Sequence, residues 1–220
     1  MIKNTLRGLA AAALVVLPLA AAPSAHAAET VPLATAIGRL PAATESREGY
    51  QRASFKHWNA GTNPTDGCNT RAQVLIWEAV VAPETYPGCQ LEGGRWWSYY
   101  DATWVTAASG LDIDHMVPLA EAWDSGASAW TPQRREADAN DQDAETSLVA
   151  VTARCTAASH KDPAQWLPPA PDDAVRCQYA SEWVGTKLRW GLAADDTERA
   201  ALRDIALGCP NESVTYEPAG

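Results

Sequence analysis

From residue 96 to residue 152 much of the chain follows a period of two. Trp96 to Tyr100 and Thr103 to Thr106 alternate apolar and polar positions, and Asp101-Ala102 between them reads as the turn of a β-hairpin. In the next run Leu111, Ile113 and Val117 point toward a core, and Asp112, Asp114 and Met116 take the other face. His115 has the core-side parity. Leu148 to Thr152 is a short apolar strand.

Elsewhere the period lengthens to that of a helix. Thr70 is a cap for a helix over 71–79, with Val74, Leu75 and Ala79 on one face. Leu119 to Ser125 is helical and stops at Gly126. Thr131 caps a helix from Pro132 to Ala139. Asp162 to Trp166 starts a short helix that Pro168-Pro169 breaks. Cys177 to Trp190 is strongly amphipathic, with Tyr179, Trp183, Thr186 and Trp190 on one stripe, and Thr197 to Leu207 is the last helix. Helices and hairpins occur in blocks, which points to an α+β fold.

The N-terminus changes this picture. Lys3 and Arg7 precede an apolar stretch from Gly8 to Ala22, and Ala25-His26-Ala27 is a small-x-small cleavage site. Residues 1–28 therefore read as an export leader, with no other run of membrane length. Residues 29–50 read as a flexible lead-in, 51–210 as a single domain and 211–220 as a C-terminal tail. An exported, soluble protein uses its cysteines for disulfides. Cys68 with Cys89 and Cys177 with Cys209 are the local pairings, Cys155 is the odd one, and other connectivities stay open at this point. Without Lys3 and Arg7, 15 basic residues face 27 acidic ones, a net charge of −12. Broad electrostatic adhesion to nucleic acid is therefore excluded, though a local basic groove is not.

The chemistry concentrates at Asp114-His115. A buried imidazole needs partners, so His115 is either a satisfied core histidine or a group held for a reaction. Its neighbours favour the second. Gly67-Cys68-Asn69-Thr70-Arg71, Gly93-Gly94-Arg95-Trp96, Asp112-Ile113-Asp114-His115 with Val117-Pro118-Leu119, Ala139-Asn140-Asp141 and Asp162-Pro163 with Trp166 follow in order. This series resembles the secreted bacterial HNH endonucleases of the ββα-metal type over nearly the whole processed chain.

The resemblance implies a small ββα-metal core surrounded by helices and a β-hairpin and stapled by disulfides. It implies that His115 is the general base, that Asn140 lies in the loop orienting it, with its amide fixing the ring, and that Asp114 binds a divalent cation, Mg²⁺ or Mn²⁺ ahead of Zn²⁺. Arg95, Arg134 and Lys161 are the candidate phosphate contacts. The partner is nucleic acid, with DNA the expected substrate, and the protein acts as a secreted monomer. One segment departs from the family. Relatives carry an Asn-Arg-Ser-Lys type run after the second strand, whereas residues 154–161 hold no Asn. Either His160 replaces the missing ligand, or the protein is an impaired homologue that binds without cleaving, or the segment reflects a small deletion.

Overall fold

The computed structural model describes residues 27–61, 63, 65–156 and 161–220. The leader up to residue 26 and His160 lie outside the described residues. In chain order the elements are β1 (Glu29–Pro32), α1 (Leu33–Arg39), α2 (Thr70–Trp77), β2 (Glu84–Tyr86), β3 (Gln90–Glu92), β4 (Trp96–Ser98), β5 (Thr103–Val105), β6 (Leu111–His115), α3 (Leu119–Asp124), α4 (Pro132–Ala139), β7 (Leu148–Thr152), α5 (Ala153–Thr156), α6 (Asp173–Trp190), α7 (Asp196–Leu207) and β8 (Ser213–Tyr216). The strands form two-stranded antiparallel pairs: β1 with β8, β2 with β3, β4 with β5, and β6 with β7. The fold is α+β, with bridges Cys68–Cys89 and Cys177–Cys209 and a buried free Cys155.

The β6–β7 pair runs from Leu111 opposite Thr152 to His115 opposite Leu148. Its two faces serve two cores. Leu111, Ile113, Leu148 and Ala150 join Val74, Leu75 and Trp96 in a small cluster. Val149, Val151 and Met116 join the larger cluster built on α1, α3, α6 and α7. The face expected to be polar is thus covered as well, with Asp114 at 3% and Met116 at 1% exposure. Alternation marks which residues share a face, but it does not reveal that a second layer covers the other face.

The outer edge of β7 is closed by side chains, not by a third strand. Ala150 N donates to Glu78 Oε2 at 2.8 Å and Thr152 N to Ser98 Oγ at 3.1 Å. Asp101 accepts from Thr152 Oγ1 at 2.7 Å and from Arg154 Nε at 2.8 Å, which fastens the β4–β5 hairpin to the end of β7. Edge groups left unpaired would be costly or would attract another chain.

Several expectations need correction. The N-cap of α2 is Asn69, whose side chain accepts from Ala72 N, while Thr70 is buried and donates elsewhere. Residues 29–50 are not a lead-in: Leu33, Ala36 and Ile37, at helical spacing, are buried in the main core. Residues 211–220 are not a loose tail, since β8 pairs with β1 and Ala219 N donates to Arg189 O at 2.8 Å. Asp162 to Trp166 makes a single turn closed by two bonds to Asp162 O. Helix α6 begins at Asp173, capped by Asp172, because that carboxylate takes the Ala174 N–H.

In the helical half one charge is fully enclosed. Lys187 Nζ, with 0% side-chain exposure, donates to Glu121 Oε1 and Ser125 Oγ at 2.9 Å, to Ala193 O at 2.9 Å and to Glu198 Oε2 at 2.6 Å. Those partners tie α3, α6 and α7 together.

Candidate active site

Strand β6 ends at His115 because Pro118 cannot continue the ladder. Its imidazole is 7% exposed. Nε2 lies 3.0 Å from the carbonyl oxygen of Ala139, the last residue of α4. A carbonyl only accepts, so Nε2 carries the proton and the lone pair of the neutral ring belongs to Nδ1. The ring stacks on Trp58, with centroids 5.4 Å apart and planes at 29°, and meets the His57 ring edge-on at 6.0 Å. Trp58 itself adopts φ +60°, a backbone conformation a bulky residue rarely takes. This local strain is held where the indole covers the imidazole.

Asn140 does not hold the ring by its amide. Its Oδ1 accepts from Asn59 N at 2.9 Å and Thr70 Oγ1 at 3.0 Å, and its Nδ2 donates to Lys56 O at 2.9 Å and Glu136 O at 2.7 Å. These bonds use the two donors and two acceptor sites of the amide. Asn140 therefore buckles the end of α4 to the Lys56–Asn59 segment, which positions both the Ala139 carbonyl above and the Trp58 indole beside His115. It bears on the His115 ring through these two neighbours.

Asp114 faces the other side of β6, opposite Val149. The Tyr100 hydroxyl donates to its Oδ2 at 3.1 Å. Burial, and then the Asp114 charge, push the Tyr100 and Tyr179 hydroxyls well above the ordinary phenol range, so both remain neutral. A buried carboxylate oxygen beside a neutral donor suits a hard divalent cation. Among the described residues, the acidic group with ligand-like spacing is a different one: Glu45, Glu121 and Asp162, whose ligand atoms lie within 4.8 Å of one another. Burial, then the neighbouring Glu121 charge, push Glu45 up to about 8, so that group is balanced by Lys187 and a retained proton.

The remaining sequence candidates divide. Arg134 belongs to the frame: it lies over Trp130 and Trp190 and donates to the carbonyls of Trp190 and Gly220. Arg95 is exposed, with its guanidinium 4.0 Å above the Trp104 ring. Lys161 is exposed, and Arg71 donates to Leu111 O at 2.7 Å, which steadies the start of β6. Asp141 anchors Arg189 by two bonds of 2.7 and 2.9 Å, and also accepts from Ser147 and Trp190. Sequence reasoning missed Tyr100 and Trp58. Tyr100 continues the inward parity of Trp96 and Ser98, a signal that was present. Nothing local announces Trp58 as the cover of His115.

Residues 85–205, from β2 through most of α7 and including β6, α4 and β7, match the family described as GmrSD restriction endonucleases, C-terminal domain. The chain belongs to this family. An uncharacterized secreted protein of Arthroderma benhamiae is 38% identical over 167 residues, covering 74% of this chain and 77% of the relative. No solved structure matches the chain. Family membership links the chain to nucleases and to nucleic acid. The relative is a secreted protein, and among the described residues no helix is long and apolar enough to cross a membrane.

Proposed function

We propose that the protein is an exported, metal-dependent endonuclease of the HNH type that hydrolyses phosphodiester bonds of DNA as a monomer. The observation that carries this reading is the Nε2–Ala139 bond. It fixes the tautomer of a nearly buried histidine one residue after a buried carboxylate, in a nuclease-family chain. Strand β6, the α4 loop, strand β7 and α5 follow in the order of a ββα-metal motif.

In this reading His115 Nδ1 takes a proton from the water that attacks phosphorus, and the resulting imidazolium is stabilised by the Ala139 carbonyl. The P–O bond to the leaving nucleoside oxygen breaks, that oxygen takes a proton from solvent water, and the imidazolium later returns its proton to solvent. Trp58 excludes bulk water from one ring face. Asp114, whose Oδ2 accepts from the Tyr100 hydroxyl, would hold Mg²⁺ or Mn²⁺, which would supply charge stabilisation on the scissile phosphate. No step is assigned to His160.

A second reading is favoured by the missing Asn in residues 154–161: an impaired homologue that binds nucleic acid without cutting it. Cleavage of supercoiled plasmid and of single-stranded DNA across a Mg²⁺ or Mn²⁺ titration separates the two. We expect cleavage by the wild type that chelation abolishes, and a loss of about 10²–10⁴-fold in His115→Ala. Cleavage that survives His115→Ala overturns the assignment of the base. Binding without cleavage at every metal concentration establishes the second reading.

A further inference from the structure

The β4–β5 hairpin faces inward through Trp96 and Ser98, which are 1% and 0% exposed. By the same alternation Arg95 and Trp97 face outward. Trp97 lies directly across from Trp104 in the register. The two indoles touch, centroids 5.0 Å apart and planes at 57°, yet remain 41% and 48% exposed, with the Arg95 guanidinium over the Trp104 ring. Two adjacent tryptophans and an arginine thus occupy the solvent face of a hairpin of three-residue strands, where small polar residues would serve the fold equally well.

This surface is joined to the strand that follows the site loop. Ser98 accepts from Thr152 N, and Asp101 holds both Thr152 Oγ1 and Arg154. The Arg154 side chain is 70% exposed beside it. The protein as a whole is acidic, with a net charge of −10, so it lacks the many phosphate contacts by which basic proteins grip a duplex. Stacking is the alternative source of affinity: aromatic faces bind bases of any sequence and need few ion pairs. It requires bases whose faces are not already stacked within a duplex.

We propose that the outer face of this hairpin, Trp97 and Trp104 with Arg95, is a platform for unpaired nucleobases, so that the site's substrate class is single-stranded nucleic acid. Arg95 and Arg154 supply the few phosphate contacts. The inference rests on the nuclease reading for what binds, but its test does not need cleavage.

Binding is measured by fluorescence anisotropy on labelled single-stranded and duplex oligonucleotides, with chelator present to prevent cutting. The wild type is expected to prefer the single strand, with a shallow salt dependence. Trp97→Ala and Trp104→Ala are each expected to weaken single-strand binding about 5- to 150-fold and to leave duplex binding unchanged. Trp104→Tyr, which keeps a stacking ring, should retain most of it. Circular dichroism confirms folding, which these exposed positions should tolerate. The proposal is overturned if the folded alanine variants bind single strands like the wild type, if the wild type prefers duplex, or if the same variants instead lose binding to a neutral oligosaccharide. Metal-dependent nicking by the wild type with unchanged single-strand binding in the variants removes the platform and keeps the nuclease. Loss of single-strand binding in the variants of a wild type that never cleaves keeps the platform and removes the catalytic reading.

Discussion

Two buried polar assemblies, one around Lys187 and one around His115, are built on different rules. Lys187 is the more deeply enclosed. Its ammonium has three protons and four acceptors, and every one of those acceptors belongs to α3 and its C-cap Ser125, to α7 or to the segment joining α6 to α7. Burial works against its charge, but Glu198 and Glu121 outweigh that, and Lys187 stays protonated. Around His115 the geometry is organised differently. A backbone carbonyl fixes one nitrogen, an indole covers one face, and Asn140 spends its whole amide on holding those two supports in place. A buried charge saturated by three helices is architecture. A ring held through its neighbours, at the end of a strand, is what the proposed nuclease reading asks of a base.

The comparison breaks most visibly at Lys187. Lys187→Ala leaves Glu121 and Glu198 buried without their cation and is expected to cost about 3–5 kcal/mol of stability, read as a lowered denaturation midpoint. His115→Ala leaves the Ala139 carbonyl unpaired and should cost about 1–3 kcal/mol, less than the lysine variant. If the histidine variant unfolds as readily as the lysine variant, the distinction between frame and reaction site is wrong.

A smaller effect sharpens the second assembly. Tyr100→Phe removes a hydrogen bond to the Asp114 carboxylate and should cost about 1.5–3 kcal/mol. Its signature beyond stability is a changed metal dependence of nicking, since the Asp114 carboxylate would lose the hydroxyl that holds its Oδ2. Unchanged metal dependence in a folded Tyr100→Phe would detach Tyr100 from the site.

The smallest effect concerns Glu45 at the rim of the lysine assembly. Its folded pKa is raised to about 8, so below that pH it carries a proton that the unfolded chain has already lost. The folded state binds more protons than the unfolded state, and stability falls as pH rises from about 5 to about 9. Glu45→Gln keeps the shape without the ionisation. Because Glu45 is only half-buried, the flattening of the Tm profile should be worth under about 1 kcal/mol. A profile with the same slope in both proteins would place the pH response elsewhere.

The contrast also explains what could be read from the chain. Strands β6 and β7, helices α3 and α4, and the caps at Thr131 and the stop near Gly126 are local statements, and the structure has them within a residue or two. Residues 29–50 leave room for a short helix, but its place in the core is not legible locally, because the strand that pairs with the residues leading into it, β8, stands at the far end of the chain. Asn140 lies in the expected loop, but its partners at Lys56, Asn59 and Thr70 cannot be seen from residues 139–141. The partners of Lys187 are likewise a matter of packing, since periodicity gives a face and not who meets it. The outward parity of Trp97 and Trp104 was written in the alternation. A prior that places tryptophan inside concealed it.

The unpaired thiol decides how the chain oxidises. Five cysteines released together into an oxidising compartment can pair in many wrong ways, and each mistake is corrected by a thiolate attacking a disulfide. Cys155 is 4% exposed where β7 meets α5, and burial pushes its thiol up, so in the folded chain it is neither accessible nor ionised. While the chain is open it is a shuffling reagent. Once β7 docks, it withdraws from exchange, and the two bridges that remain are no longer open to attack from within.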